Sequence, residues 1–203
     1  YNYKAPFSPI DVIEEYTRPA RMMINSKIVT KPALSEIEIL DILDVGKLEA
    51  FNTDGLRSLL STMSHIPNMK EKTLRYPGHA QLMQSLLDQG LFNKDRIQET
   101  SNNLFKDWKL SKNEKEFTVL DINIYSPAKN IHYHLYDEFN DNTQSSSMAR
   151  TTGYTATATI NMLANNLWDK KGVHPPENVG SSKKCIDFLF KYFLDRNISL
   201  SVL

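Results

Sequence analysis

Residues 73–79 read Thr-Leu-Arg-Tyr-Pro-Gly-His and join a predicted strand to a predicted helix. Residues 70–75 alternate in polarity, which is typical of a strand, whereas residues 80–87 carry apolar side chains at helical spacing. Pro77 fits the first turn of that helix, and Gly90 favours its end. The stretch therefore predicts a strand, a tight turn and an amphipathic helix in direct succession.

The same junction has the composition of an anion-binding site, because polar side chains and free backbone N–H groups meet at the start of a helix. Its candidate ligand-binding residues are Arg75, Tyr76 and His79. Two further polar islands, residues 51–57 and 147–153, precede helical runs, and each contributes one arginine. Their candidate residues are Asn52, Thr53, Asp54, Arg57, Arg150, Thr151 and Thr152. Arginine binds a carboxylate through two parallel N–H donors, so the three islands predict a site for a carboxylated ligand.

Each candidate also has a structural interpretation, which the sequence leaves open. An arginine can be a surface cation or form an internal salt bridge, and Thr53 or Asp54 can cap the following helix. Tyr76 can be half-buried packing, and His79 can be structural rather than a general acid. The third island can be only a helix start. The catalytic residues are unknown at this stage.

The chain as a whole is predicted to contain several strands and helices that do not alternate regularly. Strands are predicted at residues 22–24, 27–30, 36–43, 47–51, 70–75, 117–125 and 130–138. Helices are predicted at residues 8–16, 55–63 and 80–87, from residue 149 and from residue 182, and a solvated loop at residues 137–147. Because the helices are gathered rather than strictly alternating with strands, we expect an α+β layer structure.

Composition excludes several classes of protein. The 203 residues are 40% hydrophobic, enough for a sizeable core, and 24 basic residues balance 24 acidic ones. Without a basic block we expect no nucleic-acid surface, and without an apolar run of roughly 20 residues we expect no membrane span. The single Cys185 cannot form an intramolecular disulfide, which favours the cytoplasm, and its apolar neighbours favour an inert core thiol.

Metal and cofactor sites are not expected in this chain. His132 and His134 alternate on one predicted strand face, but no acid or cysteine is recognisably placed with them. The seven glycines nowhere form the glycine-rich turn of a Rossmann fingerprint, so a dinucleotide is not expected to bind here. The first residue is Tyr1 rather than Met, so we expect residues 1–203 to be a single domain excised from a longer enzyme.

Three segments, residues 51–60, 71–92 and 148–178, resemble the saccharopine dehydrogenase family over its substrate-binding, C-terminal catalytic domain. The motifs that carry the resemblance are Glu-Lys-Thr-Leu-Arg-Tyr-Pro-Gly-His from residue 71 and Gly-Val-His-Pro-Pro-Glu-Asn from residue 172. The polar island at residues 52–57 is more similar to the bacterial, lysine dehydrogenase-like branch. The resemblance implies a largely antiparallel sheet with helices on one face, like the second domain of glyceraldehyde-3-phosphate dehydrogenase-type enzymes.

For function, the resemblance implies an NAD(P)-dependent oxidoreductase of lysine and saccharopine metabolism that acts on the CH–NH group of an amino-acid substrate. NAD or NADP would be bound mainly by a missing N-terminal Rossmann domain in cis, so the fragment alone should be inactive and bind no cofactor. The alternatives are a relative that acts as a lysine 6-dehydrogenase or carboxynorspermidine dehydrogenase, and a non-catalytic ligand-binding or oligomerisation module.

Two further expectations concern assembly and the arginines. The strand pair 117–125 and 131–139 presents Tyr125, Tyr133 and Phe139 besides aliphatic residues, which predicts a homodimer through this sheet. Replacement of Arg75 or Arg150 is expected to weaken ligand binding and to leave folding almost unchanged.

Overall fold

The computed structural model describes residues 3–5, 8–112 and 114–203, and the chain divides into two compact units, residues 1–110 and 111–203. The elements of the first unit are α1 (Pro9–Thr17), β1 (Ala20–Ile24), β2 (Lys27–Lys31), β3 (Glu38–Ile42), β4 (Gly46–Asn52), α2 (Leu59–Thr62), β5 (Lys72–Arg75), α3 (His79–Asp88) and α4 (Ile97–Trp108). Those of the second are β6 (Phe117–Tyr125), β7 (Asn130–Glu138), α5 (Ser147–Ala164), α6 (Pro176–Gly180), α7 (Lys183–Leu194) and β8 (Leu200–Val202).

The strands form three small sheets, and every strand pair in them is antiparallel. Their orders are β1-β2, β3-β4-β5 and β6-β7-β8. The α+β class and the antiparallel pairing predicted from the sequence are therefore confirmed. Among the described helices, none is long and apolar enough to cross a membrane.

The core of the first unit lies where α1, α3 and α4 meet strand β4. Its buried side chains include Val12, Ile13, Tyr16, Phe51, Ala80, Met83, Phe92 and Trp108. A smaller cluster beside the β1-β2 hairpin contains Met22, Met23, Leu56 and Leu60. Full burial of such large apolar side chains stabilises the fold by about 1.5–3 kcal/mol each, so these contacts fix the elements that carry the predicted site.

Strand β4 is the central strand of its sheet, and its residues from Leu48 onward are buried. The register with β5 sets Glu49 opposite Arg75 and Asn52 opposite Lys72. Polar residues of the first two predicted islands are thus held on neighbouring strands of one sheet.

In the second unit, the β6-β7 hairpin has the strand bounds that the sequence predicts. Its turn is closed by the Ser126 N–H, which donates to the Lys129 carbonyl at 3.1 Å. Helices α5 and α7 pack through Ala158, Met162 and Cys185, so the prediction of a buried thiol is confirmed.

The β6-β7-β8 sheet has two chemically distinct faces, because side chains alternate along each strand. The register sets Leu120, Ile122, Ile124, Tyr133 and Val202 on one side, here called the apolar face. It sets Asp121, Asn123, His132, His134 and Ser201 on the other side, here called the histidine face.

Several expectations are corrected by the structure. The helix expected from Gly55 is reduced to α2, because Arg57 has a left-handed backbone with φ of 47° that a helix cannot accommodate. The loop expected from Asp137 starts later, since Asp137 closes β7 and is buried. Phe139 is only 8% exposed and Tyr125 lies outside the apolar face, so neither adds to the predicted dimer surface.

Candidate functional site

The structure divides the ten predicted ligand-binding residues between the two units. The first unit carries Asn52, Thr53, Asp54, Arg57, Arg75, Tyr76 and His79, around the end of β4 and the β5–α3 junction. The second carries Arg150, Thr151 and Thr152 in the first turns of α5.

The start of α3 does bind an anion, but that anion is the chain's own Glu49. The Gly78 N–H donates to Glu49 Oε2 at 3.0 Å, and the Ala80 N–H donates to Oε1. Glu49 is 5% exposed and reaches the helix from β4. The backbone donors that the sequence offers to a ligand are therefore used to join the sheet to the helix.

Arg75 is held in a largely buried ion pair. Its Nη2 donates to Glu15 Oε2 at 2.5 Å, its Nη1 donates to the Leu74 carbonyl at 2.8 Å, and its Cζ lies 4.3 Å from the centre of the Tyr3 ring. The side chain is 15% exposed. Burial raises the pKa of Glu15 above its ordinary value, although the Arg75 charge opposes the rise. These contacts favour a structural interpretation of Arg75.

His79 lies beside this pair and is 1% exposed. Its Nε2 is 2.9 Å from Tyr16 Oη, and its ring packs against Tyr3 and Trp108. Burial, followed by the nearby Arg75 charge, lowers the pKa of His79 to about 3. The imidazole is therefore neutral near pH 7, which favours the structural alternative over a general acid. Tyr76 is half-buried, and its carbonyl accepts the His79 N–H at 3.3 Å.

The end of β4 forms a second set of internal polar contacts. Asn52 Nδ2 donates to Ser35 Oγ and to Glu36 Oε2, each at 3.0 Å. Thr53 Oγ1 donates to Glu71 Oε2 at 2.6 Å. These bonds fasten the loop that leads to Asp54.

Asp54 forms ion pairs with two exposed arginines. Its carboxylate accepts Arg21 Nε at 3.0 Å and Nη2 at 2.9 Å, and Arg57 Nη1 lies 3.7 Å from its Oδ2. Hydrogen bonding to Arg21 lowers the pKa of Asp54. The side chains of Arg21 and Arg57 are 45% and 58% exposed. We call Arg21, Asp54 and Arg57 the arginine pair site. Asp54 and Arg57 are predicted site residues, Arg21 is not, and both guanidinium groups are accessible to a ligand.

Arg150 in the second unit is buried against Asp137. Its Nε lies 3.2 and 3.1 Å from the two carboxylate oxygens, its Nη2 donates to Oδ1 at 2.9 Å, and Nη2 also donates to the Arg196 carbonyl at 3.0 Å. The two side chains are 4% and 5% exposed. Removing the arginine would leave a buried carboxylate unpaired, so the expectation that folding is almost unaffected is reversed for this residue.

Backbone N–H groups at the start of α5 also donate to side chains of this chain. Ser146 Oγ accepts the Ala149 N–H at 3.1 Å, and the Glu116 carboxylate accepts the Ser147 N–H. Thr151 Oγ1 donates to the Ser147 carbonyl at 3.0 Å, and Thr152 is exposed. The structure thus gives the third island the internal contacts of a helix start.

Sequence reasoning missed the partners that decide these roles: Glu15, Arg21, Glu49, Glu116 and Asp137. Each lies outside the motif that it contacts, and most are contributed by another helix or strand. An alternating strand containing a single carboxylate, such as Glu49 in residues 46–52, is a weak signal that could have pointed to one of them.

A family model described as the saccharopine dehydrogenase C-terminal domain matches residues 1–195. The fold is also similar to that of the apo, histidine-tagged saccharopine dehydrogenase (L-Glu forming) from Saccharomyces cerevisiae, with a TM-score of 0.72 and 14% identity. The alignment covers 99% of this chain and 62% of that enzyme, so the chain spans less than two thirds of that enzyme's length.

Arg150→Ala should lower the free energy of unfolding by about 3–5 kcal/mol, because it leaves the buried Asp137 without its cation. Urea denaturation followed by circular dichroism measures the change. Lys183→Ala is the matched control, since Lys183 pairs with Asp187 on the exposed surface of α7 and should contribute little. Equal stability of Arg150→Ala and the wild type would contradict a structural role for the buried pair.

His79 should make the protein less stable as the pH falls from about 6.5 towards 3. In that range the unfolded histidine binds a proton and the folded one does not, so stability falls with falling pH by up to about 1.4 kcal/mol per unit. His79→Gln removes this contribution and should flatten the dependence in denaturation curves measured at several pH values. His65→Gln, at an exposed position, should keep the wild-type slope; identical slopes for all three proteins would refute the neutral buried state.

Proposed function

The chain belongs to the saccharopine dehydrogenase C-terminal domain family, and we propose that it is the substrate-binding domain of a saccharopine dehydrogenase-like oxidoreductase. The observation that carries the proposal is the family match over residues 1–195. The intact enzyme would be cytoplasmic and would transfer hydride between NAD(P) and the CH–NH group of an amino-acid substrate in lysine or saccharopine metabolism. The similarity of residues 52–57 to the bacterial, lysine dehydrogenase-like branch is part of the same proposal.

The described strands do not form a dinucleotide site of the Rossmann type. A dinucleotide site of the Rossmann type needs parallel strands joined by a helix, with a glycine-rich first turn. All strand pairs in the described sheets are antiparallel, and the chain has no clustered glycines. We therefore propose that NAD or NADP is bound by a separate Rossmann domain in cis and that this chain alone is inactive.

The arginine pair site is the best-supported position for a substrate carboxylate. Arg57 is more than half exposed, and its Nη1 lies 3.7 Å from Asp54 Oδ2, so its guanidinium is accessible for a two-point contact with a ligand. Its left-handed φ of 47° is a strained backbone of the kind found at functional sites. Asn52 and Thr53 hold the preceding loop in place.

The other predicted residues would act indirectly in this proposal. Arg75 and Arg150 would have to exchange Glu15 and Asp137 for a ligand carboxylate before they could bind substrate. We therefore assign them, with Tyr76, His79, Thr151 and Thr152, to the framework of the domain. This internal pairing is also the observation that favours the alternative function, a non-catalytic module that keeps the fold for assembly.

Arg57→Ala should weaken binding of an amino-acid ligand roughly ten- to a hundredfold, because it removes a charge-assisted two-point contact. Calorimetry with saccharopine and with L-glutamate tests this on the 203-residue chain. Arg57→Lys should recover only part of the affinity, since an ammonium keeps the charge without the fork. Arg96→Ala, also exposed, is the control. If neither ligand binds, or if Arg57→Ala binds as well as the wild type, the assembly module is the better description.

We further propose that the chain forms a homodimer through the apolar face of the β6-β7-β8 sheet. Leu120, Ile122 and Ile124 are 46%, 40% and 45% exposed there, and Val202 is 65% exposed. These residues are neighbours on one side of adjacent strands. A contiguous exposed apolar surface of this kind is typical of a protein interface.

Ile122→Lys should convert the dimer to a monomer, because two charges would be buried at a self-complementary interface. Light scattering at micromolar concentration measures the mass, and circular dichroism reports whether the fold persists. Ile160→Lys is the control, since Ile160 is 63% exposed on α5, outside the apolar face. A wild-type chain that is monomeric under these conditions would argue against the proposed interface.

A further inference from the structure

The histidine face of the β6-β7-β8 sheet contains a cluster of three side chains that the proposed substrate site does not use. They are Asp121, His132 and His134, and one ligand atom from each lies within 4.8 Å of the other two. His132 Nε2 contacts Asp121 Oδ1, and His134 Nδ1 lies 3.2 Å from the same oxygen. Two imidazole nitrogens therefore converge on one carboxylate oxygen.

The hairpin register produces this convergence. Asp121 on β6 pairs directly with His134 on β7, and His132 lies two residues before His134 on the same face. Directly paired side chains on adjacent strands start roughly 4.5–5.5 Å apart at their Cβ atoms, so all three can reach a common point without bending the backbone. The sequence shows the alternation of the two histidines, and the register adds the acid beside them.

Burial makes the cluster different from an ordinary surface group of polar residues. The side chain of His134 is 4% exposed and that of Asp121 is 13% exposed, whereas His132 is 33% exposed. Asp121 and His134 are therefore held in fixed positions, and His132 is accessible to solvent. Asn123 and Ser201, at adjacent cross-strand positions, are exposed as well.

We propose that Asp121, His132 and His134 form a binding site for a divalent transition-metal ion, with zinc as the best match. Two imidazoles and one carboxylate are a ligand set that suits Zn²⁺, whereas Mg²⁺ and Ca²⁺ prefer oxygen ligands alone. The three ligand atoms lie within 4.8 Å of one another, close enough for all three to bind one ion. Water at the exposed His132 side completes the coordination.

Metal binding requires a defined change of tautomer. Without metal, the nitrogens that face Asp121 carry the protons of the two hydrogen bonds. With metal, each neutral ring donates the lone pair of that nitrogen and carries its proton on the other one, on Nδ1 of His132 and Nε2 of His134. The carboxylate supplies the negative charge, and no proton leaves a neutral ring.

Titration of the chelator-treated 203-residue chain with Zn²⁺ in a calorimeter tests the site. We expect one Zn²⁺ per chain, with affinity weakened on the order of tenfold or more by either His132→Ala or Asp121→Asn. His65→Ala, at an exposed position in the first unit, is the matched control and should bind as the wild type does. Circular dichroism of each variant shows whether it is folded.

A second measurement on the wild-type chain does not depend on any variant. The chain has five histidines, and ring nitrogen NMR should show that Zn²⁺ shifts two of them, assigned to His132 and His134, and leaves three unchanged. Absence of stoichiometric binding, or shifts confined to other histidines, would overturn the proposal. So would wild-type affinity in folded His132→Ala and Asp121→Asn, and the cluster would then be only a hydrogen-bonded link between β6 and β7.

Discussion

The buried Glu49 carboxylate is the contact on which the first unit depends. It extends from the central strand β4 and accepts backbone N–H groups of Gly78 and Ala80 at the start of α3. A helix start leaves its first N–H groups without internal partners, and a buried carboxylate is costly unless it is hydrogen-bonded. Each group therefore satisfies the other. The position of α3 relative to the sheet follows from this exchange, and α3 in turn supplies Ala80 and Met83 to the core.

The second unit uses the same kind of contact at its own junction of sheet and helix. Glu116, just before β6, accepts the Ser147 N–H at the start of α5, and Asp137 at the end of β7 pairs with Arg150 one turn later. Motifs at the start of a helix thus serve the fold in both units. The chemistry left accessible lies elsewhere, at the arginine pair site and on the histidine face.

Patterns over neighbouring residues predicted individual strands and helices of this chain. The bounds of β6 and β7 follow from alternation on either side of a short turn, and α3 follows from apolar spacing after Pro77. Helix α4 escaped prediction because its middle, Gln98 to Asn103, is polar, and β8 is too short to carry a pattern. The roles of the arginines could not be read from their motifs, since Glu15 is 60 residues from Arg75 in the sequence.

The position of Asp121 beside the histidines, by contrast, could have been predicted from the sequence. The two strands and their four-residue turn were predictable, and together they fix the register that pairs Asp121 with His134. The same register sets Leu120, Ile122 and Ile124 on the opposite side of the sheet. Because side chains alternate with a period of two, a shift of β7 by one residue would move His132 and His134 to the apolar face and separate them from Asp121. The tight turn at residues 126–129 therefore keeps the two proposed functions apart on one pair of strands, with homodimer assembly proposed for the apolar face and metal binding for the histidine face.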